Sequence, residues 1–286
     1  MGFAVKEGRR VWLAAPLRAA VWVAIAAAGL LAVAPAMAQP GMQSGTQSGT
    51  PDAQAATALN VKALMIRGLE AYGAGRFSVA AAIFRQAATA GDVEAMMYLG
   101  VMYGTSHGVE RDYGAAMSWF ERAADAGNSQ AMCNIGLLHF QGLGTPQNYR
   151  EAMSWFLKAA SSGNAEAMFN VGVLNRDGLG LPVNYAEAMK WFQRAAGQGD
   201  IAAPNAIGVM YQQGQGVAVD YAQAMTWYRS AAAGGNDTAM YNAGVLFEGG
   251  LGVTADRDQA IAWYRKAAAA GNEPAKTALA SLGIKD

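Results

Sequence analysis

The 286-residue chain has little of what most enzymes and secreted mini-domains rely on: one cysteine, Cys133, two histidines, His107 and His139, and only 15% charged residues. A single thiol rules out any intrachain disulfide, so stability must come from packing. Neither histidine has a metal-spaced partner, and no metal or cofactor is expected. Lys plus Arg and Asp plus Glu both number 21. The basic residues Lys6, Arg9, Arg10 and Arg18 stand before Gln39 against one acid, Glu7, which leaves the remainder slightly acidic. Such a surface attracts no phosphate backbone, and nucleic acid is not an expected partner. Ser-x-x-Lys, Gly-x-Ser-x-Gly and His-Glu-x-x-His arrangements are all missing, so no activated nucleophile or zinc-bound water is written locally.

Residues 1–38 read as an export signal. Basic residues precede an apolar run from Ala19 to Ala34, and Ala36-Met37-Ala38 has the small-x-small pattern of a signal-peptidase site. Cleavage before Gln39 places the mature chain in the periplasm or outside the cell. An uncleaved run would instead tether it to a membrane, and Arg9-Arg10 also fits a twin-arginine export route. Residues 39–59, rich in Gly, Ser, Thr and Gln, read as a flexible linker.

What the chain does have is glycine at a fixed interval. Gly91, Gly127, Gly163, Gly199, Gly235 and Gly271 follow one another at 36 residues, each preceded by an Ala-Ala pair. A period of this length predicts stacked units that bury apolar faces only against their neighbours. Within each unit the pattern predicts two helices. Ala152, Trp155, Phe156, Ala159 and Ala160 form one helical stripe, and the same stripe recurs around Trp119, Trp191, Trp227 and Trp263. That position predicts tryptophans packed in the core rather than a sugar-stacking ladder. Asp112, Asn148, Asn184, Asp220 and Asp256 are expected N-caps of this helix, and Asp92, Asn128, Asn164, Asp200, Asn236 and Asn272 of the other. Mid-helix Gly100, Gly136, Gly172, Gly208 and Gly244 predict sites where two helix backbones touch, because glycine there costs about 1 kcal/mol relative to alanine. Gly-x-Gly turns such as Gly142-Leu143-Gly144 join the helices; they follow helices rather than strands, which argues against a nucleotide loop. Cys133 is expected to be a small buried side chain and His139 a packing residue.

A unit with a mid-helix glycine, a Gly-x-Gly turn, an Asp or Asn cap and Ala-x-x-Trp-Phe/Tyr-x-x-Ala-Ala-x-x-Gly resembles the Sel-one-like repeat, a relative of the tetratricopeptide repeat. The resemblance covers repeats at 93–128, 129–164, 165–200, 201–236 and 237–272, with a C-terminal capping helix over 273–286. Residues 60–92, with Gly75, Phe77, Ala80, Phe84 and Ala87, are similar to a tetratricopeptide unit that lacks the longer turn. The resemblance implies an all-α fold, a right-handed α-solenoid superhelix of helix-turn-helix repeats, whose first helices line a concave face and bind other proteins. Exported bacterial members are commonly adaptors or regulators. Cysteine-rich relatives with reported penicillin binding make an envelope hydrolase or β-lactam-interacting enzyme the alternative, but this chain lacks their cysteines.

If the first helices present their faces in that way, the slot two residues before the mid-helix glycine faces the groove: Tyr98, Asn134, Asn170, Ala206 and Asn242. Amides repeated at one slot can hydrogen-bond the backbone of an extended peptide. The slot beside it carries Met97, Cys133, Phe169, Asn205 and Tyr241, mostly apolar. The expected partner-binding residues are therefore Tyr98, Asn134, Phe169, Asn170, Tyr241 and Asn242, the expected partner is a protein or peptide, and no catalytic residue is expected.

Overall fold

Helix starts lie where the sequence supplies an Asp or Asn acceptor. The Ala95 N–H donates to Asp92 Oδ1 at 2.7 Å, the Ala167 N–H to Asn164 Oδ1 at 2.8 Å and the Gln223 N–H to Asp220 Oδ1 at 2.9 Å. Each bond satisfies a donor that the first helical turn otherwise leaves unpaired. The chain is described here by a computed structural model over residues 51–284; the leader expected at 1–38 and the tether up to Thr50 lie outside the described residues. Among these residues the chain is all helix and turn. The helices are α1 (Pro51–Gly73), α2 (Phe77–Thr89), α3 (Val93–Thr105), α4 (Tyr113–Asp125), α5 (Ser129–Gln141), α6 (Tyr149–Ser161), α7 (Ala165–Asp177), α8 (Tyr185–Gly197), α9 (Ala203–Gln213), α10 (Tyr221–Ala233), α11 (Asp237–Gly249), α12 (Arg257–Ala269) and α13 (Glu273–Ser281). Odd-numbered helices are the first of a pair and even-numbered ones the second. The fold class is all-α, an α-solenoid of packed helix pairs.

One boundary differs from the sequence reading. Helix α1 begins at Pro51, inside the segment read as linker to residue 59. The four alanines between Ala53 and Ala58 are the strongest helix formers, and proline is tolerated in a first turn because its missing N–H has no partner there anyway. No described helix is long and apolar enough to cross a membrane.

The described residues divide into two compact units, with the boundary inside α5. Unit 1 runs to Asn134 and includes Leu143–Thr145; unit 2 holds Ile135–Gly142 and the chain from Pro146 onward. In unit 1, α1 packs on α2, α2 on α3 and α3 on α4. It carries an aromatic cluster: in the core Tyr98 stacks on Phe84 with ring centroids 5.0 Å apart and planes 9° from parallel, and beside it, half-buried, Phe77 meets Tyr72 at 4.9 Å and His107 meets Phe77 at 4.7 Å. His107 takes the turn slot that Leu143, Leu179 and Leu251 hold elsewhere. Thr105 Oγ1 lies 2.7 Å from its Nδ1. Ser106, where later turns have glycine, adopts a left-handed φ of 62°.

In unit 2, consecutive helices pack pairwise from α6 to α13. Two sequence expectations are corrected by this packing. The mid-helix glycines face an aromatic ring rather than a helix backbone: a Cβ on Gly136 would come 2.6 Å from the Phe156 ring, and Gly172 and Gly208 stand in the same way over Phe192 and Tyr228. Glycine is required there because a ring lies flat on the helix where a methyl group would be. Correspondingly the buried member of each Trp-aromatic pair is the second one. Phe156 and Phe192 are fully buried, whereas Trp155 and Trp191 are half-buried. Their outer faces are covered by a cation one turn later, Lys158 Nζ at 3.9 Å from the Trp155 centroid and the Arg194 guanidinium at 4.2 Å from that of Trp191. The stripe is wide enough to hold both residues, and only the contact with the preceding first helix decides which one points inward.

The second glycine of each turn has a further role. Gly180, with φ +75°, rests on the start of the previous second helix, so that a Cβ would approach the Tyr149 Cβ to 2.8 Å. Gly216 approaches Tyr185 similarly. These contacts set the step from one pair to the next.

Candidate functional site

The first-helix face is best described within each unit. In unit 1 the expected slot does not face outward: Tyr98 is 5% exposed and Asn134 3% exposed. Tyr98 is consumed by its stack on Phe84, and burial together with Glu94 and Tyr72 pushes its phenol up to about 12. Neither residue is presented to a partner, which corrects the expectation for both. Cys133 beside them is buried, as its small apolar character implies.

In unit 2 the same slot is half-buried at Asn170 and Asn242. Phe169 and Tyr241, one residue earlier, are also half-buried and lean on buried rings, Phe169 on Phe192 at 5.4 Å and Tyr241 on Tyr264 at 5.6 Å. All four stand on first helices, Phe169 and Asn170 on α7 and Tyr241 and Asn242 on α11. Each first helix contributes a stripe at i, i+4 and i+7: Phe169, Val173 and Arg176 on α7, Asn205, Val209 and Gln212 on α9, and Tyr241, Val245 and Glu248 on α11. The residue beside the α11 stripe reaches the α9 stripe. Asn242 Nδ2 donates to Asn205 Oδ1 at 3.0 Å, a bond between α11 and α9.

The last position of each stripe meets the tip of the buried ring from the following second helix. Arg176 places its guanidinium 5.9 Å from the Phe192 ring while pairing with Asp177 at 2.6 Å. The Tyr228 hydroxyl donates to Gln212 Oε1, and the Tyr264 hydroxyl donates to Glu248 Oε2 at 2.6 Å. Burial raises both phenols, and for Tyr264 the Glu248 carboxylate adds to the effect. Gln212 and Glu248 were missed as members of this face. Their signal was in the sequence: a tyrosine replaces phenylalanine at 228 and 264, and a buried phenol needs an acceptor.

The face holds amides, a valine row, Arg176 and Glu248. His139 is half-buried and its Nδ1 lacks a partner, while no three of His, Cys, Asp or Glu converge among the described residues.

Comparison with known proteins agrees with this architecture. Among curated proteins none matches the chain. A Sel1 repeat protein of Oxalobacter formigenes of known structure is 34% identical, with a TM-score of 0.71 over 76% of this chain and 88% of that one. The protective antigen c5321 of uropathogenic Escherichia coli, which displays an SLR fold, is 32% identical with a TM-score of 0.66; the match spans 80% of this chain and 50% of that protein. Immunity protein Pa5087 of Pseudomonas aeruginosa, at 21% identity and a TM-score of 0.50, shares the fold. The Sel1 repeat model matches residues 93–128, 129–164, 165–200, 202–236 and 237–272, and the chain belongs to the Sel1 repeat family.

Proposed function

We propose that this protein is an exported adaptor or regulator that holds a protein or peptide on the concave, first-helix side of its solenoid. Sel1 repeat proteins are generally protein–protein interaction scaffolds and typically lack an enzymatic centre. The observation that carries the reading is a division of labour between rows. The packing rows repeat from unit to unit, with Gly172, Gly208 and Gly244 each over a buried ring. The first-helix row changes identity, from Phe169 to Asn205 to Tyr241. A stack whose interior is constant and whose face varies presents a series of distinct contacts on a preorganised scaffold, so little ordering entropy is lost by the receptor on binding.

The leader at residues 1–38 supports export to the periplasm or beyond. The test is affinity capture from native envelope with wild type and with Phe169, Asn170, Tyr241 and Asn242 all changed to alanine. Loss of specific partners from the variant, with its helical signal retained, is expected; identical recovery by both baits defeats the proposal. N-terminal sequencing of exported protein should begin at Gln39, and an intact Met1 would place the chain on a membrane tether instead.

A further inference from the structure

The last and the first described helices are finished differently. On α13 the exposed side carries Glu273, Lys276, Thr277 and Ala280, and its charges close on each other, with Lys276 Nζ 2.8 Å from Glu273 Oε1. Terminal units of a solenoid need such a polar outer side, because no further repeat covers them. Helix α1 is not finished in this way. Its packed side is fixed by Gly68, where a Cβ would come 2.5 Å from the Phe84 ring, and by the buried Met65 and Ala71. The opposite side carries Leu59, Lys62, Ala63, Ile66, Glu70 and Gly73, all exposed and all on one face at helical spacing. Leu59 is 69% exposed and Ile66 48%. Neither Lys62 nor Glu70 makes a side-chain hydrogen bond or ion pair among the described residues.

We propose that this face of α1 pairs with the same face of a second copy of the chain, antiparallel about a two-fold axis at Ile66. A two-fold interface is self-complementary: if one residue meets another across it, the second meets the first in return. About Ile66 the face is its own complement. Lys62 and Glu70 stand four residues to either side, so Lys62 of each copy meets Glu70 of the other. Leu59 and Gly73 stand seven residues to either side, so each leucine lies over a glycine, whose missing side chain leaves it room. Ile66 meets Ile66 at the centre. From Leu59 to Gly73 the contact runs about 21 Å along the helix at about 1.5 Å per residue.

Charge decides both the orientation and the occupant. A parallel pair would set Lys62 against Lys62 and Glu70 against Glu70, and like charges in contact repel. Arg67 stands three residues before Glu70 without pairing with it. The segment that leads into α1, residues 39–50, holds no charged residue, so it can satisfy neither Lys62 nor Glu70. A second copy satisfies both at once. One helix pair is a small contact, below the about 1,200 Å² of stable interfaces, so the dimer is weak and forms as concentration rises. Each exposed ion pair contributes little alone, but the two-fold axis doubles the effect of any change in it.

Sedimentation velocity of the purified chain over a range of concentration is the test. Wild type should pass from monomer to dimer. Lys62→Glu or Glu70→Lys alone sets like charges together at both ends of the contact and should weaken association at least about tenfold, a difference of about 1.4 kcal/mol. The two changes combined restore the pairing with the signs exchanged, and association should return to within about threefold of wild type. Both residues are exposed, so thermal unfolding of every variant should stay close to wild type. A second measurement reads the axis directly. Ile66→Cys should form an interchain disulfide under mild oxidation, because the axis brings the two thiols together, whereas Arg67→Cys should not; the native Cys133 is buried and does not compete. A monomer at every concentration, a dimer indifferent to the single changes, or single losses that the double variant does not rescue would each overturn the inference. Loss of a different protein from the envelope capture in Ile66→Arg, with no self-association of wild type, would overturn it too and give the face another occupant.

Discussion

The slot two residues ahead of the mid-helix glycine has different fates in the two units. In unit 1 it holds Tyr98, drawn inward to stack on Phe84, and Asn134, also buried. In unit 2 it holds Asn170 and Asn242, which are half-buried with Asn242 bonded to Asn205, and between them Ala206, which is buried. One register position therefore serves packing in one place and presentation in another. The difference follows from the neighbours. Unit 1 begins with a pair joined by a shorter turn and sets the half-buried Tyr72, Phe77 and His107 against one another beside the buried Tyr98, whereas unit 2 repeats pairs with the longer turn and changes its residues along the first helices.

The sharpest way to break this contrast is to truncate the slot in both units. Tyr98→Ala should cost about 3–5 kcal/mol, since it removes a buried ring and its stack, while Asn242→Ala should cost about 1 kcal/mol, the worth of one hydrogen bond. Urea unfolding monitored by circular dichroism decides it, and similar losses in both variants would erase the distinction. The packing rows should not distinguish the units at all. Gly100→Ala and Gly172→Ala each push a methyl group into a ring, Phe120 or Phe192, and each should destabilise by about 1–3 kcal/mol. A neutral effect in either would mean that the ring can shift aside.

A smaller effect separates repeats inside unit 2. Tyr228→Phe removes the hydroxyl that donates to Gln212 and should cost about 1 kcal/mol, and Tyr228→Phe combined with Gln212→Leu should recover most of it. Additive losses in the double variant would show that the pair is not coupled. Another effect is confined to alkaline pH. Burial, aided by Glu94 and Tyr72, raises the Tyr98 phenol from 10.0 to about 12, so the folded state resists its ionisation. The stability this represents is complete below pH 10.0 and is lost as pH rises through about 12. Tyr98→Phe should therefore flatten the fall in melting temperature across that interval; an unchanged alkaline profile would mean that the phenol reaches solvent.

Much of this architecture is legible in the chain itself. The spacing of Gly127, Gly163 and Gly199 gives the period, Asn148 and Asp220 mark helix starts, and the Ala-x-x-Trp-Phe stripe gives the packing face. The family is legible for the same reason, because its pattern is made of these local constraints. The candidate face was legible only in part: Phe169, Asn170, Tyr241 and Asn242 are half-buried on α7 and α11, whereas Tyr98 and Asn134 are buried, and Gln212 and Glu248 went unrecognised.

The sequence by itself determined the helices, their caps and their period, since these depend on backbone dihedrals and on hydrogen bonds a few residues apart. Only the tertiary structure decided that Phe156 rather than Trp155 goes inward, that the mid-helix glycines admit a ring, and that one slot is covered at Tyr98, Asn134 and Ala206 but half-open at Asn170 and Asn242. Those outcomes depend on the shape of side chains brought in by another helix, sixteen or more residues away, and a stripe of about 100° on a helix does not by itself choose which of its members the neighbour will bury.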